Sequence, residues 1–329
     1  MIDPKMYLNP KLSSAEVELE PIRAGFGRGL LEAGHRDVNV VALCADLTES
    51  TKMDAFAKSY PERFVEIGIA EQNLVTVAAG MSLAGKVPFI SSYAAFSPGR
   101  NWEQIRTTVC LNQTNVKVVG SHAGVSVGPD GATHQMLEDI ALMRVLPNMV
   151  VVVPADSIEA GKATLALASH IGGAYLRLAR DKSPIVTTDK TPFSLGKANV
   201  LRSGTDLTIV ACGTMVYEAL MAAEQLAIAG IEAEVINAAV IKPLDTSTIL
   251  ASARKTGAVM TVEEAQMAGG LGGAVAETLT ENTPTPMTRV GLQDRFGESG
   301  TTAQLFDNFG LSAPHLVKRA RELIKRKSA

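Results

Sequence analysis

Short, continuously apolar runs recur along this chain, each followed by a stretch with helical spacing. Val38-Asn-Val-Val-Ala-Leu-Cys44, Val87-Pro-Phe-Ile90, Val116-Lys-Val-Val119, Val150-Val-Val-Val153 and Ala174-Tyr-Leu-Arg-Leu178 read as strands, with helical patterns near residues 70–84, 100–112, 135–145 and 156–169. Strands apolar on both faces and joined by helical crossovers require a mostly parallel sheet covered on both sides. From Arg180 to about Arg202 the pattern lapses into Asp181-Lys-Ser-Pro184 and Thr191-Pro-Phe-Ser194, a linker by composition. Strands resume at Leu207–Ala211, Ala233–Ile236, Ala258–Val262 and Met287–Val290. The pattern predicts an α/β protein of two doubly wound open-sheet domains, residues 12–188 and 198–329, split near residue 190. Ligands of such sheets gather at the carboxyl ends of the strands. Asp46, Ser91, Ser121 and Pro154 are expected just past strand ends in the first domain.

A length of 329 residues is enough for two cores of ordinary size. The formal net charge of −3 offers no field for nucleic acid, and the basic tail from Lys318 to Lys327 reads as a solvated helix face. Cys44, Cys110 and Cys212 lie far apart without CxxC spacing, which argues against a disulfide scaffold or a zinc site. No signal peptide is visible at the start, and the apolar run Met149–Val153 stops at Pro154, far short of a membrane span. The expectation is a soluble, cytoplasmic protein with no nucleic-acid or membrane partner.

Four stretches carry chemistry. In Val65-Glu-Ile-Gly-Ile-Ala-Glu-Gln-Asn73, a helix starting near Ala70 puts Glu71, Leu74, Val75, Ala78, Met81 and Ser82 on one face. An acid leading an apolar stripe stays charged only when paired, and otherwise keeps its proton; the plain alternative is an acid complementing the helix dipole. The run Gly120–Gln135 holds His122, Asp130 and His134 on a glycine-rich loop after a strand, where they can converge on a polar substrate. It reads equally as an ordinary loop with Asp130-Gly131 as its turn and Thr133 capping the next helix. Metal binding is weaker there, since no further ligand lies at suitable spacing. Tyr93 and Phe96, in Ser91-Ser-Tyr-Ala-Ala-Phe-Ser97, form either a stacking platform for a flat ring or core. Gly269-Gly-Leu-Gly-Gly273 half-matches a dinucleotide loop, but the third glycine is replaced by Val275, so close packing of helix on strand is the better reading.

Taken in order, these residues resemble the transketolases. Ala45-Asp-Leu47, Gly68-Ile-Ala-Glu-Gln-Asn73, Ser121-His122 with Gly128-Pro-Asp-Gly-Ala-Thr-His-Gln135, Leu178-Ala-Arg180, Glu263-Glu264 with the Gly269 loop, and Asp294-Arg-Phe-Gly-Glu-Ser-Gly300 follow the family pattern over nearly the whole chain. The chain is similar to the pyrimidine-binding and C-terminal domains of these thiamine diphosphate enzymes. The family's diphosphate half carries a Gly-Asp-Gly motif that holds Mg²⁺, and this sequence contains none. The resemblance therefore implies the C-terminal subunit of a split transketolase. An N-terminal partner subunit would supply the diphosphate and Mg²⁺ site, so no metal ligand is expected in this chain. A heterotetramer around a homodimer core of this subunit is expected.

By the same resemblance, Glu71 matches the glutamate that hydrogen-bonds the aminopyrimidine of thiamine, and Tyr93 and Phe96 match aromatics flanking that ring. The next family aromatic aligns near Gly99, so Trp102 supplies that wall or the wall is missing. Asp46 matches an acid near the cofactor. His134 and Asp130 match residues holding the first hydroxyls of a ketose donor, with His134 also catalytic. Arg23, Ser50, His122 and Arg180 match sugar-phosphate contacts; on spacing alone the two arginines read as surface residues. The implied activity is transfer of a two-carbon ketol unit between sugar phosphates in the pentose phosphate pathway. Alternatives are half of a 1-deoxyxylulose-5-phosphate synthase, the β subunit of a 2-oxo acid dehydrogenase, or, from another class, a non-catalytic nucleotide-binding or regulatory protein using the Gly269 loop.

Overall fold

The computed structural model of the chain describes residues 1–14 and 16–327. Its first sheet has seven strands, in the order Val240–Lys242, Val150–Val152, Ala174–Arg177, Lys117–Ser121, Val87–Tyr93, Val40–Cys44, Phe64–Glu66. All neighbours are parallel except Val240–Lys242, which pairs antiparallel with Val150–Val152. The second sheet has five strands, in the order Met287–Leu292, Val259–Gln266, Leu207–Ala211, Ala233–Asn237, Asn199–Arg202, with only the last antiparallel. These are the two open α/β sheets that the alternating pattern requires.

The apolar runs are continuous because both faces of the sheet are covered. In Val40–Cys44 all five residues are buried. Val41 and Leu43 pack in one cluster with Leu74, Val75, Ala78, Ile105 and Val109, while Val40, Ala42 and Cys44 pack on the other face with Phe26, Leu30, Ala160 and Leu167. Successive side chains of a strand point to opposite faces, so each strand feeds two cores.

Several expectations change in detail. Ser91 and Ser121 lie within their strands, which run on to Tyr93 and Ser121. The pattern over 100–112 becomes a short α-turn, Trp102–Gln104, continued by the π-helical turns Ile105–Leu111. The helix expected over 135–145 is cut to Asp139–Arg144 with Glu138 before it, so Thr133 caps nothing and instead shares a hydrogen bond with His134 Nδ1 at 2.9 Å. On the helix Glu71–Leu83 the buried stripe is completed by Ala79, while Met81 and Ser82 are half-buried. The stretch after Arg180 is more than linker: Lys182–Pro184 pairs antiparallel with Leu19–Pro21. The halves also exchange structure. Val240–Lys242 edges the first sheet from beyond the split, and Leu12 packs in the core of the second sheet.

Candidate active site

The strand Phe64–Glu66 lies on one side of Val40–Cys44 and Val87–Tyr93 on the other, so the chain reverses its direction of travel across the sheet there. Such a switch opens a crevice at the carboxyl ends of the strands. Glu71 opens the helix that follows the edge strand, and it is only 2% exposed. Ser92 Oγ donates to its Oε1 at 3.4 Å, and Arg100 Nη1 lies 3.4 Å from Oε2. Asn101 Nδ2 donates to the Glu71 carbonyl at 2.8 Å, fixing the first turn of this helix, which has no side-chain cap. A dipole role explains the place of Glu71 in the first turn, but not its burial or its partners.

Four rings gather beside it. Tyr93 stacks on His122 at 3.8 Å and 28°, and on Phe96 at 6.0 Å and 21°. His134 stands edge-on to Tyr93 at 6.2 Å and to Phe96 at 5.6 Å. Tyr93 and Phe96 are half-buried, so they are a platform rather than core. Arg100 joins this platform to the carboxylate, its guanidinium carbon 5.1 Å from the Phe96 ring centre. A third aromatic wall at Gly99 is excluded, because a Cβ there would stand 2.1 Å from the Ala95 carbonyl oxygen. Trp102, the other candidate for that wall, donates its indole N–H to the Leu142 carbonyl at 2.8 Å.

The far end of the crevice is cationic. Arg23 donates through Nε to the Arg180 carbonyl at 3.3 Å and through Nη1 to the Ser50 carbonyl. Arg180 donates to the Val127 carbonyl at 3.0 Å. Burial, and then the neighbouring Arg180 charge, lower the Arg23 pKa from its ordinary value. Burial, reinforced by the positive charge of Arg23 and Arg180, pushes His122 down to about 3, so its imidazole is neutral and shares a 2.9 Å hydrogen bond with Ser121 Oγ. Two guanidiniums held by carbonyls rather than by carboxylates suit an anionic group. Ser50 enters through its backbone oxygen.

The sequence-derived residues are thus brought together unevenly. Glu71, Tyr93, Phe96, His122 and His134 converge, with Arg23 and Arg180 behind His122. Asp46 and Asp130 are exposed, Asp46 two residues past the strand Val40–Cys44 and Asp130 at the end of the Val125–Asp130 turns. Sequence reasoning missed Arg100 and Ser92, the side-chain partners of Glu71. It also missed Glu66, whose carboxylate takes the N–H groups of Asp46 at 2.7 Å and Gly68 at 2.8 Å, tying together the two turns that flank the crevice. Its signal was faint: an acid at a strand end before the Gly68 turn.

The Gly269 loop has a different use. Glu263 accepts the N–H groups of Leu271 at 2.8 Å and Gly272 at 2.7 Å, so the chain's own carboxylate occupies that helix start. A nucleotide phosphate there would have to displace a carboxyl group that already takes those N–H donors. Among the described residues, no His, Cys, Asp or Glu cluster is placed to hold a metal, and no helix is long and apolar enough to cross a membrane.

The family model for the transketolase pyrimidine-binding domain matches residues 21–184, and that for the transketolase C-terminal domain matches residues 196–316. The chain belongs to the transketolase family. The 6-deoxy-6-sulfo-D-fructose transketolase subunit SqwH of Clostridium sp. is 44% identical over 95% of this chain and 98% of its own. An apulose-4-phosphate transketolase subunit of Phocaeicola vulgatus is 39% identical over 92% of this chain and 97% of its own. A solved split-gene transketolase, described as an inactive β4 tetramer, superposes with a TM-score of 0.88 at 45% identity, over 93% of this chain and 99% of that one. The chain is therefore a split-transketolase-like subunit, within a family of thiamine diphosphate-dependent transferases.

Proposed function

We propose that this chain is the C-terminal subunit of a split transketolase that moves a two-carbon ketol unit from a ketose phosphate to an aldose phosphate. The observation that carries the reading is the convergence of a nearly buried carboxylate, Glu71, with the Tyr93–Phe96 platform, both within reach of one cationic plane, the Arg100 guanidinium. An aminopyrimidine is likewise flat and rich in donors, so the residues present fit thiamine. Glu71 would hold its ring nitrogen and the platform its face, with Asp46 on the adjoining loop. When bound, thiamine diphosphate supplies the nucleophilic carbon and the electron sink for breaking and remaking a carbon–carbon bond.

The chain's own residues do the rest. Glu71 holds a proton at the ring nitrogen, shielded from water by its burial. His134 and Asp130 take the hydroxyls at the reacting end of the donor, and His134 moves a proton there. Arg23, Arg180, Ser50 and His122 receive the anionic end. Two similar chains are named for a sulfo-sugar and a sugar phosphate; both substrates carry an anion, which supports a use for the paired arginines without choosing the sugar. An N-terminal partner subunit would bring the diphosphate site and its Mg²⁺, so this chain alone is inactive, and copies of it form the homodimer core of the assembly.

The test is reconstitution. The chain, co-purified with candidate N-terminal partners, is assayed for ketol transfer from xylulose 5-phosphate with thiamine diphosphate and Mg²⁺. Transfer that requires both chains and the cofactor is the expected result. Release of CO₂ from pyruvate with no transfer between sugars would replace this reading with a synthase or dehydrogenase half.

A further inference from the structure

The loop that carries His122, Asp130 and His134 is held from outside its own sheet. Its central segment, Val125–Asp130, is a pair of tight turns with a break at Gly128. The strand Val259–Gln266 of the second sheet sends Glu264 into it. That carboxylate is 2% exposed, and it accepts the Ser126 N–H at 3.1 Å and the Ser126 hydroxyl at 3.0 Å. It also fills the niche a side chain at 124 would need, since a Cβ on Gly124 would lie 2.4 Å from its Cδ. Arg177 of the first sheet donates to Asp139 at 2.8 Å and to the Glu264 carbonyl at 3.0 Å, and its guanidinium lies 3.9 Å from the Glu264 carboxyl group.

A second tie sits at the loop's far end. Gln135, next to His134 and 4% exposed, offers its amide N–H groups to the carbonyls of Val125 at 3.2 Å, Gly128 at 3.2 Å and Glu298 at 2.8 Å. The first two acceptors close the loop on itself, and the third belongs to the second domain. The Glu298–Gly300 segment fits against the loop so closely that a Cβ on Gly131 would stand 2.5 Å from Ser299 Oγ, and one on Gly297 1.7 Å from Gln135 Oε1.

We infer that the second domain is the positioning scaffold of the substrate loop, acting through Glu264 at Ser126 and through Gln135 at the Glu298 carbonyl. Neither residue is placed to touch a substrate; each sets where His122, Asp130 and His134 stand. Both ties use buried polar groups, which tolerate little displacement because an unmade bond there is costly. The inference rests on the proposed function for the identity of the ligand, but not for the coupling between domain and loop.

The test pairs two adjacent acids on the same strand. Glu264→Gln replaces one of the two oxygens that accept from Ser126 with a donor, whereas Glu263→Gln disturbs the helix start at Leu271 and Gly272 and leaves both Ser126 hydrogen bonds in place. In the reconstituted complex, Glu264→Gln should lower kcat/KM for xylulose 5-phosphate about 100-fold, the cost of a misplacement of about 1 Å. The activation constant for thiamine diphosphate should stay within about threefold. Glu263→Gln should lower the melting temperature and leave the donor KM unchanged. Should Glu264→Gln fail to fold, Gln135→Met makes the same measurement from the other tie.

A second readout does not depend on activity. Amide hydrogen exchange over residues 124–134 of the full chain should quicken in Glu264→Gln and Gln135→Met, and not in Glu263→Gln. Loop protection unchanged in both loop-tie variants overturns the inference, even if the chain proves to be a transketolase. Quickened exchange in a wild-type-folded chain that shows no ketol transfer in any complex overturns the proposed function and leaves the coupling standing.

Discussion

Arg100 Nη1 stands 3.4 Å from Glu71 Oε2, pairing a guanidinium whose side chain is 56% exposed with a carboxylate that is 2% exposed. The asymmetry matters. The acid is fixed by the fold, whereas its partner can swing into solvent and surrender both the carboxylate and the Phe96 face to a ring of similar shape and charge.

Glu71→Gln keeps the shape and the Ser92 contact but cannot hand over a proton. In the reconstituted complex kcat should fall by about 10²–10⁴-fold, the usual worth of a positioned acid or base. Subunit association, followed by size-exclusion chromatography, should be unchanged. Wild-type turnover would remove Glu71 from the chemistry.

Arg100→Ala clears the space beside Glu71 and Phe96. Because the arginine is more than half exposed, the free chain should lose no more than about 1 kcal/mol, read from urea unfolding. The activation constant for thiamine diphosphate should fall by about two- to fivefold, since a competitor for the same groups has gone. A weaker cofactor response would mean that Arg100 helps to bind the cofactor instead.

Arg180→Met removes one of the two guanidiniums facing the anionic end. The KM for a phosphorylated donor should rise about 10–100-fold, with kcat little changed, as expected when a bond is made equally in the bound and transition states. An unphosphorylated ketose should respond to the variant by less than about twofold. Equal losses on both donors would take the arginine away from the phosphate.

His122 links the site to stability. Its pKa, pushed from an ordinary 6.5 to about 3 by burial and the nearby cations, lies below that of the unfolded chain. The unfolded state therefore binds the extra proton first as pH falls, and stability is lost progressively between about pH 6.5 and 3. His122→Asn suits the positive φ of 58° at this position and cannot titrate. Unfolding midpoints at pH 7, 5.5 and 4 should decline less steeply in the variant than in the wild type. Parallel declines would show that His122 is not the group responsible.

Much of the fold was legible because its causes are local. Val40–Cys44 and Leu207–Ala211 are apolar on both faces only if helices cover both, and that covering defines a doubly wound sheet. The edge strand Val240–Lys242 was not legible: three residues carry too little pattern, and only the first sheet's open edge makes them a strand. Glu71, Tyr93, Phe96, His122 and His134 could be picked out as residues of unusual type at strand ends. Arg100, half-exposed and of ordinary type, gave no such signal.

The sequence by itself determined the two-sheet architecture, the family, and the carboxylate, aromatic and histidine groups that the crevice collects. Only the tertiary structure decided how they are held. Glu264 and Ser126 lie 138 positions apart, as Gln135 and Glu298 lie 163 apart, and no periodicity records a contact across such a separation. It also decided that the Gly269 helix start is filled by Glu263, that the Trp102 indole donates to the Leu142 carbonyl, and that Arg100 reaches Glu71. Each of those outcomes depends on how the packed elements direct a side chain, which the spacing of residues along the chain does not encode.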